Sequence, residues 1–257
     1  MAAENKKKAH TALNLNYNSD NGVWLHQGKT LRKIVGTAGM LLPILLLAIS
    51  LTFFELPGPL ESISHYYYTR AATLFTVIVS LIGIFLIVYS GEEPVDFWVS
   101  NLAGMAALCV AFFPTSNLAQ SCCDAVMPYA VTYFDESQEG WRSLFHYIAA
   151  AVFLSALAFM SLFLFVKSDT PKGKRCREKV LRNRVYRTCG ILMLLALLVI
   201  VLGLFNIIPT ETYDRLKLTF WMEALAVEAF GFSWLVKGEA LMQDKVNERK
   251  APSSGIL

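Results

Sequence analysis

Glu223 and Glu228 stand inside an otherwise apolar run, Phe220 to Val236, near the C-terminal end of the chain. A carboxylate in hydrocarbon costs about 2.5 to 3.5 kcal/mol on insertion scales, so intramembrane carboxylates usually face a bundle interior or a proton path. Five positions at 100° each set the two about 140° apart around a helix, so they cannot form one acid–base dyad. Glu223 lies one turn into the run, at the level of Arg70, which is expected to neutralise it. Glu228 lies deeper, with no cation at its depth. It fits either a packing hydrogen bond, with Asn101 as partner, or a proton-relay carboxyl that titrates.

Two imidazoles add to this set. Glu61, Ser62, Ser64, His65 and Arg70 precede one apolar run, and His146 lies in the first turn of another. If these ends share a membrane face, His65, His146 and Glu223 suffice as a first shell for zinc with a position open to water, the arrangement of a metal-assisted hydrolase. The competing reading has no resident cofactor and two interfacial histidines that are solvated or hydrogen-bonded. Other chemistries are excluded by what is missing: a Gly-rich phosphate loop with its Lys, a histidine pair one helical turn apart, a serine elbow. Glu92, Glu93 and Asp96, flanked by Gly91 and Pro94, read as a solvated turn, with a salt bridge to the basic loop after the fourth run as the alternative. The five cysteines, Cys109, Cys122, Cys123, Cys176 and Cys189, match neither a disulfide framework nor a zinc finger and are expected as unpaired thiols.

The elements that must position these residues follow from hydropathy. With 55% apolar and only 17% charged residues and a mean hydropathy of +0.45, the charges retreat into short segments between long apolar runs, the pattern of a chain dissolved in lipid. Six runs are read, at 34–54, 71–90, 97–113, 144–166, 190–208 and 220–236. Without water to satisfy the backbone, each must be a helix, giving an all-α polytopic transmembrane bundle. A polar, mobile arm over 1–33 and a tail over 238–257 flank the transmembrane domain, 34–237. The first 33 residues hold no apolar h-region, so no cleavable signal peptide is expected and the first span serves as the targeting signal.

Orientation follows from basic residues. Nineteen of the 23 Lys and Arg fall in the arm, the loop after the fourth run and the tail, and only Arg70, Arg142, Arg215 and Lys217 fall in the alternate loops. Six spans with both termini cytoplasmic is the arrangement that separates these groups. The loop carrying Lys172, Lys174, Arg175, Arg177, Arg182 and Arg184 is expected to fix topology and touch anionic head groups rather than nucleic acid. Arg177 to Arg187 reads as a cytosolic extension of the fifth helix. Small residues spaced by four, Ala103 with Ala107 and Ala151 with Ser155, favour close helix approach.

Three stretches, Ser62-Ile63-Ser64-His65-Tyr66-Tyr67-Tyr68-Thr69, Ser100-Asn101-Leu102-Ala103-Gly104 running to Phe113-Pro114-Thr115, and Glu223 through Phe230-Gly231-Phe232-Ser233-Trp234 to Gly238, resemble a bacterial family of small six-span membrane proteins. The resemblance implies a bacterial inner-membrane location and transfers no catalytic residue. A weaker likeness, through Ser62, His65 and Asp96, is to the membrane hydrolases that include alkaline ceramidases and adiponectin receptors. Six spans instead of seven, and no paired histidines near the C-terminus, set this chain apart from them.

The leading expectation is therefore a non-enzymatic bundle. Its outward polar cavity, drawn from Arg70, Asn101, His146, Glu223 and Glu228, binds or passes a small solute, proton or lipid. The rivals are a zinc-dependent lipid hydrolase at the outer face and a structural or sensory subunit that engages an unknown protein partner through the arm or basic loop.

Overall fold

The computed structural model describes residues 22–89, 94–116, 139–167 and 176–242, and every element among them is helical. The helices are α1 (Gly22–Thr52), α2 (Ala72–Val88), α3 (Pro94–Phe112), α4 (Glu139–Phe159), α5 (Arg177–Leu204), α6 (Thr210–Arg215) and α7 (Leu218–Lys237). A 3-10 helix, Ile63–Tyr68, precedes α2, and a π-helical turn, Met160–Leu164, continues α4. Four segments are long and apolar enough to cross a membrane: Gly28–Thr52, Pro94–Phe112, Gly140–Leu164 and Arg177–Leu204. Of the remaining two, α2 is apolar but only 17 residues long, and α7 runs 20 residues with two glutamates inside it.

Helix contacts close a ring in the order α1, α2, α3, α4, α5, α7 and back to α1. Glycines set its tightest crossings. A Cβ on Gly104 would stand 2.6 Å from the Gly83 carbonyl oxygen, and one on Gly36 would stand 2.8 Å from that of Gly231, so α2–α3 and α1–α7 meet backbone to backbone. Ala103 and Ala107 are fully buried, as their spacing suggested, whereas Ser155 is exposed and makes no such contact. At the π-helical turn, Ser161 donates to Ser233 Oγ at 3.0 Å, and Ser233 donates to the Phe230 carbonyl at 2.8 Å. Both buried hydroxyls are thereby satisfied in the middle of the ring.

One end of the ring is filled by Trp234, whose indole meets Phe85, Tyr89, Phe165 and Phe230 at centroid distances of 5.3 to 5.7 Å. Cations close this aromatic cluster, Arg32 lying 5.4 Å over Tyr89 and Lys237 5.5 Å over Phe165. The same end corrects three expectations. Residues 22–33 are the first turns of α1 rather than a mobile arm, and Lys29 is tied to Glu239 at 2.7 Å. Asp96 is not solvated; it is buried in the first turn of α3 with Lys167 Nζ 3.5 Å away. Arg182 does not face lipid; it is buried and donates to the Met242 carbonyl at 3.2 Å, because its face of α5 also carries Asn183, Tyr186 and Cys189 into the ring.

Arg177 and Arg184 are exposed, while Lys172, Lys174, Arg175, Glu92, Glu93, Cys122, Cys123, residues 1–21 and most of the tail lie outside the described residues. The helix does reach back to Arg177 as an extension of the fifth run. Its 28 residues span about 42 Å at 1.5 Å each, more than a hydrocarbon core of about 30 Å.

Candidate functional site

The opposite end of the ring holds the polar cluster. The chain leaves α1 and returns through Pro57 and Pro59 toward the start of α7, where the Phe220 amide donates to the Glu61 carbonyl at 3.0 Å and Lys217 pairs with Glu61. Lys217 takes a left-handed conformation, φ 51°, which ends the preceding turn and lets α7 begin. These ties deliver Ser62 to the second turn of α7.

Ser62 is extended, φ −148° and ψ 155°, and caps the 3-10 helix by accepting from the Ser64 amide at 3.0 Å. Its Oγ lies 2.8 and 3.0 Å from the two oxygens of Glu223, and the Ile63 amide donates to the same carboxyl at 2.7 Å. Glu223 thus fills the anion position at the start of a helical turn. Below it, Tyr66 is fully buried with its hydroxyl on Ser50, and Tyr68 donates to the Thr115 carbonyl.

The segment after α3, opened by Pro114, is held from two sides. His146 Nδ1 contacts the Phe113 carbonyl at 2.7 Å; a carbonyl only accepts, so Nδ1 carries the proton. The Tyr147 hydroxyl lies 3.2 Å from Ser116 Oγ. His65 sits among these groups with both ring nitrogens buried; neither makes a well-formed hydrogen bond to a described residue, although the Ser116 backbone lies close enough to favour the protonated ring. Burial, reinforced by His146 and Lys217, pulls its pKa from 6.5 to about 3, with the Ser116 backbone opposing weakly.

The sign of the resulting pH dependence is fixed. The unfolded chain takes up a proton at His65 below 6.5 and the folded chain does not until about 3, so stability present above pH 6.5 is lost as pH falls through that window. The thermal midpoint of detergent-purified protein should decline more steeply over this range in wild type than in His65→Phe. Equal slopes would show that His65 is charged or solvated in the folded protein.

Several expected partnerships do not form. Arg70 is exposed and Glu223 is held by Ser62 and Ile63 instead, because the 3-10 helix places those donors closer than any residue at the start of α2. Asn101 donates one turn back to the Phe97 carbonyl at 2.8 Å and does not reach Glu228. Glu228 points away from the cluster. The trio His65, His146 and Glu223 is not gathered as a ligand set: among the described residues no three His, Cys, Asp or Glu could hold a metal.

The Ser62 hydroxyl donates to Glu223, and among the described residues no imidazole hydrogen-bonds to it, so it lacks the base that a nucleophilic serine uses. What remains at this end are two polar groupings, Ser62 with Glu223 and His65 near His146. The partner of Glu223 was visible in the sequence only as a serine ahead of Ile63-Ser64, a capping signal that does not say which helix it meets.

The class defined by fold and site is a helical membrane bundle with a hydrogen-bonding cluster at one end. No protein-family model matches the chain, and no curated protein or solved structure matches it either.

Proposed function

We propose that this protein is a six-span membrane bundle, with both termini cytoplasmic in a bacterial inner membrane, that binds a small polar solute or proton at its outer end without covalent chemistry. The observation that carries the reading is His65, which buries one ring donor and one ring acceptor, neither in a well-formed hydrogen bond with a described residue, three positions past the Ser62 that holds Glu223. Each such orphan costs about 1 to 3 kcal/mol, a cost that a hydrogen-bonding occupant removes.

The test is a thermal-unfolding screen of purified protein against small amides, alcohols, amines and carboxylates, repeated on His65→Phe. A solute that raises the midpoint of wild type and leaves His65→Phe unmoved supports the site. Proteoliposomes under an imposed pH gradient address the proton; equal flux in wild type, His65→Phe and Glu228→Gln discards it.

Topology has its own expected result. Reporters fused after Lys174 and Val246 read cytoplasmic, and one near Asp135 reads periplasmic. A cytoplasmic signal at Asp135 removes the six-span arrangement, with α3 failing to cross.

A further inference from the structure

α7 turns Phe220, Ala224, Phe230, Gly231 and Trp234 into the ring and leaves Trp221 and Leu225 exposed. At 100° per residue, Glu228 falls about 40° from the line midway between Trp221 and Leu225. Glu228 is therefore on the outer face of the helix, half-buried, with no hydrogen bond or ion pair to any described residue. It stands at the middle of the 20 residues of α7. The other outer faces differ: α2 presents Val77, Leu81 and Ile84, and α5 presents Ile191, Leu195 and Leu198, all apolar. Lipid tails suit those faces and offer nothing to a carboxyl at mid-depth.

We infer that the α7 line through Leu225 and Glu228 is the interface between two copies of this chain. The inference rests on the reading that α7 crosses the membrane. Copies inserted with one topology can be related only by a two-fold axis along the membrane normal, so each residue near the axis meets its own copy at its own depth. Glu228 then meets Glu228. A carboxyl pair that shares protons is donor and acceptor at once, so the two side chains satisfy each other in hydrocarbon. A different protein would need its own donor at this depth; a second copy brings one automatically. Trp221 and Leu225, exposed on the same line, supply apolar contacts toward one end.

The test uses the full chain in native-like membranes with its five cysteines replaced by alanine. Oxidation should join Leu225→Cys into a covalent dimer and leave Leu81→Cys, on the outer face of α2, monomeric. Adding Glu228→Lys to Leu225→Cys places two like charges at the axis and should abolish the cross-link, whereas Glu228→Gln, whose amide also donates and accepts, should retain it. Cross-linking at Leu225→Cys no greater than at Leu81→Cys overturns the dimer, as does an undiminished cross-link in Glu228→Lys. A water-soluble maleimide separates the premises in the first case. Labelling of Leu225→Cys shows α7 outside the bilayer, and its absence leaves the six-span reading standing without the dimer.

Discussion

Gly231→Val should be among the most damaging single substitutions in the ring. A Cβ at Gly231 would stand 2.5 Å from Met40 Cγ, a side-chain atom, and also 2.6 Å from the Gly36 carbonyl oxygen and 3.1 Å from the Met40 amide nitrogen, which are backbone. Overpacking ordinarily costs about 1 to 3 kcal/mol because side chains adjust. The Met40 side chain can rotate away but the Gly36 carbonyl cannot, so α1 and α7 must separate at this crossing. That contact closes the ring and also holds the loop that carries Ser62. The expected result is a loss of about 3 kcal/mol or more, seen as a large fall in thermal midpoint or as failure to recover monodisperse protein in detergent. Gly58→Val is the control, since nothing lies within 4 Å of its Cβ position. Equal midpoints for the two variants would show that α1 and α7 do not meet as described.

Glu223 carries the second large effect, and its size depends on what replaces it. Glu223→Ala strips the acceptor from the Ser62 hydroxyl and from the Ile63 amide, which now contact the carboxyl at 2.8 and 2.7 Å. Two donors left without partners cost about 1 to 3 kcal/mol each, so a loss of about 2 to 6 kcal/mol is expected. Glu223→Gln keeps one acceptor oxygen and nearly the same shape. It gives up only the charge assistance and should cost about 1 kcal/mol. Chemical or thermal unfolding of the two variants and wild type decides this, and the ordering of Ala well below Gln is the diagnostic. Equal losses would mean that the carboxyl acts through its charge, with Arg70 or Lys217 as the effective partner. If Glu223→Gln is stable but no longer responds to a solute that stabilises wild type, the charge serves binding and the hydrogen bonds serve the fold.

The two glutamates also show how far the sequence reaches. Their spacing alone separated their roles, since five residues on a helix cannot point one way. It could not say which of the two faces inward. Glu223 is inside because residues 161 positions earlier supply its donors. Glu228 is outside because the Gly36–Gly231 contact fixes how α7 is rotated against α1. Arg70 was the natural counter-charge by depth, yet depth without azimuth does not make a pair. Asp96 reads as solvated from its turn-forming neighbours and is buried because the end of α4 brings Lys167 to it.

What the chain determines by itself is its solvent and its helices. Long apolar runs must be helical wherever backbone groups find no water, and four of them are long enough to cross a bilayer unaided. The lopsided distribution of Lys and Arg is likewise a local property, readable without coordinates. The tertiary structure decided which face of each helix turns inward, because in a ring of helices that choice is made by close contacts between residues far apart in sequence. From it follow the pairing of Ser62 with Glu223, the burial of the His65 ring and the outward carboxyl of Glu228, since hydropathy measures how deep a residue sits and not the direction in which it points.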